Sequence, residues 1–320
     1  MKKSLYILGL STLLFACETD ITDKVKTDIY DGTSLVSISG AISDDSSIAT
    51  YIDIELSAPY LETGALEKVE GAIVELFEND SLVATLTEQS PGHYVQTSIM
   101  SVVGNAYHVS VEIPSSYGAV SGVWLSKPDV VNELFTPVGP MIQIHEDDSV
   151  YVIAGDTISY RDADSSFYSP YLAFNDPAGK GNYYWAKKMR QVSYYAPSGP
   201  FGPLTAVDTV YNDPKMIALF DDQQYVEGMQ IGRFNLMGRP NTVHRDTVLS
   251  QRFETRSLSE DMYSYMNWLN SNVNNGGLFA VPYSPQIGNI YKENDTTAYG
   301  MGFVYATSIR FDSINMFHPY

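Results

Sequence analysis

Between residue 34 and about residue 125 the apolar side chains return at every second position in short runs, a period that predicts antiparallel strands with one buried face. In Tyr51-Ile52-Asp53-Ile54-Glu55-Leu56-Ser57, the residues Ile52, Ile54 and Leu56 share one face and Asp53 and Glu55 the other. Ala72, Val74 and Leu76 form the next inward row. Asn79-Asp80 suits a tight turn, after which Leu82, Ala84 and Leu86 are expected to bring an inward row back. Pro91-Gly92 marks another turn, and Tyr107, Val109, Val111 and Ile113 then alternate with His108, Ser110 and Glu112. About seven such strands predict an immunoglobulin-like β-sandwich over residues 34–126.

Prolines and glycines from Lys127-Pro128 to Gly139-Pro140 break the alternation and put a boundary there, opening a larger β-rich domain over 127–320. Its runs Tyr151–Ile153, Tyr171–Phe174, Tyr183–Met189, Val207–Tyr211, Met216–Phe220, Val248–Phe253 and Phe303–Ile309 predict strands. One segment has helical spacing instead: Leu258, Met262, Tyr265, Leu269 and Val273 recur every three to four residues. Ser257 and Glu260 fit a capping box, and Asn274-Asn275-Gly276-Gly277 is a stop, which predicts a helix near 258–274. The expected class is mainly all-β, a sandwich followed by a larger β-rich domain with one prominent α-helix.

The amino terminus reads as an export signal. Met1-Lys2-Lys3 is basic, and the apolar run from Leu5 to Phe15 is shorter than the ~20 residues of a membrane-spanning helix. It ends in Leu14-Phe15-Ala16-Cys17, a lipobox, which directs acylation of the thiol and cleavage before it. Residues 1–16 are then a signal peptide, and 17–33, rich in charges and Thr, a lipidated tether. Two or three acyl chains hold a protein on a membrane stably. The competing reading, cleavage elsewhere, leaves Cys17 a free thiol.

Charge narrows the partners. Of 320 residues, 19 are Lys or Arg and 38 are Asp or Glu, a formal charge of -19. Losing residues 1–16, with two lysines and no acids, takes that to -21. Broad phosphate contact is disfavoured, so no nucleic-acid partner is expected. A single cysteine excludes an internal disulfide framework and a multi-thiolate zinc site.

The chemistry-bearing residues form no known catalytic pattern. His93, His108, His145, His244 and His318 lack the H-E-x-x-H spacing, and no G-x-S-x-G, S-x-x-K or phosphate-binding glycine loop occurs. Glu146-Asp147-Asp148, Asp162-Ala163-Asp164 and Asp221-Asp222 have the residue types for calcium or for a glycosidase pair. The Asp162 segment carries Phe167 where a calcium loop needs Gly and Ala173 where it needs Glu. Solvated loops are the favoured reading, with no cofactor and no metal. Lys187, Lys188 and Arg190 read as a charged strand edge. Tyr183, Trp185, Tyr194, Tyr195 and Phe201 are the candidate contacts for a ligand or partner, against core packing for the strand members.

Several phrases together resemble a family of Bacteroidota outer-membrane lipoproteins, domain of unknown function 4249. They are Val69-Glu70-Gly71-Ala72-Ile73-Val74-Glu75-Leu76 with Pro91-Gly92-His93-Tyr94, then Asn182-Tyr183-Tyr184-Trp185, then Leu219-Phe220-Asp221-Asp222 with Gly228. The helix from Ser257 to Asn270 and Pro285-Gln286-Ile287-Gly288-Asn289-Ile290 complete the set. The resemblance implies an accessory lipoprotein of the outer membrane, docking on a TonB-dependent transporter, and no reaction. Glu18, Asp20 and Asp23 after the cysteine resemble a surface-display signal without its adjacent acids, so the cell surface is favoured over the periplasmic face. The expected function is a non-enzymatic accessory that binds a ligand or docks on the transporter. The alternatives are a structural subunit of an envelope complex without ligand binding, and a carboxylate-based hydrolase.

Overall fold

The computed structural model describes residues 35–58, 65–146, 149–154, 157–159, 167–175, 177, 179, 181–196, 205–211, 217–222, 247–273 and 288–317. Strands account for most of it, several sheets with one α-helix among the described residues. Strands β1 (Val36–Ser43), β2 (Thr50–Leu56), β3 (Ile73–Glu78), β4 (Ser81–Thr85), β5 (Thr87–Ser90), β6 (His93–Gln96), β7 (Ala106–Ile113), β8 (Gly122–Ser126) and β9 (Asp129–Val130) cover the first part. Next come β10 (Thr136–Glu146), β11 (Ser149–Ala154), β12 (Thr157–Ser159), β13 (Phe167–Asn175), β14 (Tyr183–Ala196), β15 (Thr205–Tyr211), β16 (Ile217–Asp221) and β17 (Thr247–Leu258). After helix α1 (Glu260–Val273) follow β18 (Ile290–Lys292), β19 (Asp295–Tyr299), β20 (Val304–Thr307) and β21 (Ile309–Phe317).

Two sheets make the sandwich. One runs β20-β1-β2-β6-β5, the other β19-β18-β8-β7-β3-β4 with β9 on β7. The inward rows read from the alternation enclose one core: Ile52, Ile54, Val74, Leu76, Tyr107, Val109, Val111 and Ile113, joined by Val36, Ile38 and Trp124. Burying each large aliphatic side chain stabilises the fold by about 1.5–3 kcal/mol, which is why the polar partners point outward. Asn79 and Asp80 turn β3 into β4 with φ of 47° and 62°, the two-residue hairpin expected of them. Leu82 departs from the expected inward row and is 54% exposed. A register shift between Leu76 and Phe77 pairs Leu76 with Ala84 but Phe77 with Leu82, so the extra residue puts Leu82 on the outer face.

Strands from residues 290–307 also enter both sandwich sheets, β18 beside β8 and β20 parallel to β1. Glycines let them approach. A Cβ on Gly302, whose φ is +88°, would lie 2.2 Å from the Ile38 carbonyl oxygen, and one on Gly288 would meet the Gly302 carbonyl. Asn289 then acts as a piece of strand: its Oδ1 accepts from Val304 N–H at 3.0 Å and its Nδ2 donates to Val304 O at 2.7 Å.

Beyond the sandwich, a sheet runs β12-β21-β17-β14-β15 with β16 also on β14, and a smaller one runs β11-β10-β13. The expected strands of the second half are present, and β10 lies across the proline-rich stretch of the expected boundary. Its register shifts between Pro137 and Gly139, a bulge that accommodates residues an interior ladder would refuse. Lys187 and Arg190 do not sit on a sheet edge, because β14 pairs with β17 on one side and, on the other, with β16 at Lys187 and β15 at Arg190; Lys188 falls in the gap between those two partners.

The helix starts two residues later than the capping box suggests. Ser259 caps it, its Oγ accepting from Met262 N–H at 3.2 Å, with Glu260 and Asp261 in the first turn. Ser257 belongs to β17, and Leu258 is buried at that strand's end. Among the described residues no helix is long and apolar enough to cross a membrane.

Candidate functional site

The sandwich meets the second sheet along a seam built on residues 254–258, 303–309 and 183–185. The chain crosses it at Ser308, between β20 and β21. Ser257 N–H donates to Ser308 O at 3.0 Å, Ser308 N–H donates to Ser257 Oγ at 3.0 Å, and Thr307 Oγ1 donates to Ser257 O at 2.8 Å. Asp44, in the β1–β2 connection, accepts from Ser308 Oγ and from Ile309 N–H, the latter at 2.7 Å. Asp129 reaches in from β9 and accepts from Ala306 N–H at 2.8 Å. Burial pushes its carboxyl up to about 6, against the lowering by Ser259 and Ala306.

Five aromatic and charged side chains lie over this joint. Successive strand residues point to opposite faces, so Glu254 and Arg256 share the β17 face that carries Trp185, the residue paired with Arg256 across the ladder. Arg256 donates from Nε and Nη2 to Glu254 Oε1 at 2.7 and 2.6 Å and from Nη1 to Tyr305 Oη at 2.9 Å. Its guanidinium stands 5.0 Å from the Trp185 ring centre, a cation–π contact. Burial opposes its charge, yet Tyr305 and Glu254 outweigh it and raise the pKa. Tyr51, facing the same group from β2, is pushed up to about 12 by burial, with Tyr305 adding and Arg256 opposing. Among the described residues the buried Trp185 Nε1 has no hydrogen-bond partner. Farther out, His93 Nδ1 lies 2.7 Å from Asp53 Oδ1, and the His93 ring 6.0 Å from that of Tyr51.

Of the contacts expected from sequence, Tyr183 and Trp185 share one face of β14 at this seam. Tyr183 is buried with Leu258, Met262 and Phe303, its ring 4.8 Å from Tyr263. Tyr184 and Ala186 face the other way, against Phe135. Tyr194 and Tyr195 lie farther along β14, opposite Val207 and Ala206, with side chains outside the description. Phe201 and Cys17 lie outside the described residues, as do Asp147, Asp148, Asp162, Asp164, His244 and His318. Glu254, Arg256, Tyr305 and Tyr51 escaped the sequence reading. The available signal was an acid and a base two residues apart inside a strand, which places them on one face.

The Asp221-Asp222 pair has structural partners. Asp222, 2% exposed, accepts from Gly181 N–H at 2.9 Å, Asn182 N–H at 3.1 Å and Asn182 Nδ2 at 3.0 Å, clamping the loop before β14 to the end of β16. Asp221 accepts from the Tyr263 hydroxyl at 3.0 Å. The other phrases of the resemblance have comparable work. The Tyr94 hydroxyl donates to Val69 O at 2.9 Å and accepts from Ala72 N–H at 2.9 Å, while Gly92, with φ +69°, allows the chain to pass 2.6 Å from Ile54 O at the Cβ position. Among the described residues no group of three or more His, Cys, Asp or Glu is placed to hold a metal ion. The seam fixes two sheets relative to each other and carries one buried, neutralised ion pair under aromatic rings.

A family model described as Domain of unknown function (DUF4249) matches residues 22–310, most of the chain. No curated protein matches it.

Proposed function

The chain belongs to the DUF4249 family, and from that premise we propose that it is a lipoprotein held on the outer membrane of a Bacteroidota cell through Cys17. Its body works as a non-enzymatic accessory, exposed at the cell surface, that docks on a TonB-dependent transporter or binds a ligand for it. The observation that carries the reading is Leu14-Phe15-Ala16-Cys17 behind a short apolar run and a basic start, with the only cysteine of the chain at the acylation position. A tether over 17–33 leads from there to a first strand at Val36. The engagement of Asp221 and Asp222 in hydrogen bonds to Tyr263 and to backbone N–H groups favours a binding role over the carboxylate hydrolase.

Extraction of intact membranes with mild detergent tests this. The expected result is an outer-membrane barrel co-purifying with the full-length lipoprotein in a fixed ratio. Repeated isolation of the lipoprotein alone would overturn docking. Saturable binding in a ligand screen would separate the ligand-binding form from a purely structural subunit, which binds none.

A further inference from the structure

We infer that one end of the sandwich, formed by the 97–105 loop and β9, is the surface that grips a protein partner, and that this partner presents an apolar recess rimmed by Lys and Arg. The inference rests on the docking reading above and names the surface that performs it. Met100, Val102, Val103 and Val130 are 49%, 51%, 48% and 44% exposed, although all four are apolar. The fold gathers them. Ser101 N–H donates to Ser43 O at 2.9 Å and its Oγ to Thr307 O at 3.0 Å, which pins Met100 and Val102 on either side of Ser101 to the end of β1 and β20. Asn105 N–H donates to Val102 O at 3.0 Å, closing a tight turn over Val103. Gly104 N–H donates to Val131 O at 2.9 Å, and Ala106 pairs with Val130, so β9 lies alongside that turn.

This loop is held by side chains as well as backbone. Val102 N–H donates to the Tyr107 hydroxyl at 3.0 Å, and that hydroxyl donates to Glu78 at 2.6 Å. A buried tyrosine and a buried serine thus hold aliphatic side chains in water. Such an ordered apolar group on a rigid base loses little entropy when covered, which suits the centre of an interface.

Charge decides what covers it. No residue from 97 to 105 is charged. Acids flank its supports: Asp45 lies two residues beyond Ser43, Glu133 two beyond Val131, and Glu78 accepts from Asn105 Nδ2 and from the Tyr107 hydroxyl, each at 2.6 Å, while Lys127 is the cation just before β9. The whole chain carries -19. An anionic headgroup surface is repelled by such a rim, whereas a protein recess edged by cations is attracted.

The test uses the full-length protein extracted from its own membranes in mild detergent. Val102→Asp with Val103→Asp is expected to lower the co-purifying barrel at least tenfold, while Ile73→Asp with Leu82→Asp, on exposed positions of β3 and β4, leaves it unchanged. Asp45→Asn with Glu133→Gln should lower low-salt binding toward its high-salt level and so flatten the salt dependence. A photo-crosslinking residue at Val103 in the otherwise unchanged chain should join the barrel at an apolar segment flanked by Lys or Arg, which keeps the question open to decision even where the double variant folds poorly. Full barrel recovery with the Val102/Val103 variant would overturn this surface and leave docking standing. Adducts with lipid or with a second copy would also overturn it. Absence of the barrel from the wild-type preparation would bring down the docking reading and this surface together.

Discussion

Asp129 should make the joint between the sandwich and the second sheet sensitive to pH. Its carboxyl is buried, accepts from Ala306 N–H, and lies at the amino-terminal end of α1 near Ser259 and Asp261. Burial raises it from an ordinary 3.8 to about 6. The folded chain therefore holds this proton more tightly than the unfolded chain does. Its contribution to stability is fully present below pH 3.8 and is lost as pH rises through about 6. The displacement corresponds to about 3 kcal/mol at ~1.36 kcal/mol per pH unit. Asp129→Asn keeps a carbonyl oxygen for Ala306 N–H and removes the titration. Urea unfolding of wild type and variant lacking residues 1–17, measured in parallel from pH 4 to pH 7.5, isolates this residue because the other groups cancel in the difference. The wild type should lose ground to the variant by most of that ~3 kcal/mol between those limits, a relative midpoint shift of about 1 M urea. A stability difference that stays flat across the range would refute the assignment.

Arg256→Met alone leaves Glu254 buried without its cation and is expected to cost ~3–5 kcal/mol in urea unfolding, whereas adding Glu254→Met should recover much of the loss. Trp185 fluorescence should change in both variants, since the guanidinium leaves the indole face. Tyr94→Phe strands Val69 O and Ala72 N–H in the core and should cost about 1–3 kcal/mol, read as a lower Tm with unchanged far-ultraviolet circular dichroism.

Local alternation carried much of the sandwich. Ile52, Ile54, Val109 and Val111 had to face inward because a period of two leaves one apolar face per strand, and Asn79-Asp80 could turn because both residues tolerate positive φ. Leu82 was misplaced because a bulge is a property of two strands, and its signature in one of them is a single supernumerary residue. The contribution of β18, β19 and β20 to sheets begun some 250 residues earlier had no local signal at all, because parallel pairing of β20 with β1 leaves the pattern of each strand unchanged. The prolines of β10 read as a break, since a bulge and a loop use the same residues.

The seam was half legible. Tyr183 and Trp185 announced themselves by composition, but whether they face water or a second layer depends on α1 and on Phe303, brought in from more than a hundred residues away. Arg256 drew no attention in sequence because Glu254, two residues before it, looks like ordinary surface alternation. Asp129 sat in a proline-rich stretch that read as a domain boundary, and its burial follows from the β9 pairing with β7 and from the Ala306 amide. Asp222 shows the reverse case, a carboxylate conspicuous in sequence whose oxygens hold a backbone loop in place.

Acylation of Cys17 is the measurement on which the proposed role turns most directly. Cells making the full-length chain are fed a radiolabelled fatty acid and compared with cells making a chain whose residues 1–17 are replaced by a cleaved export signal without a cysteine. The wild-type protein should carry label and stay with the outer-membrane fraction through a high-salt wash, and the replaced chain should be unlabelled and soluble. An unlabelled wild-type protein, or a replaced chain retained as firmly on the membrane, would contradict it.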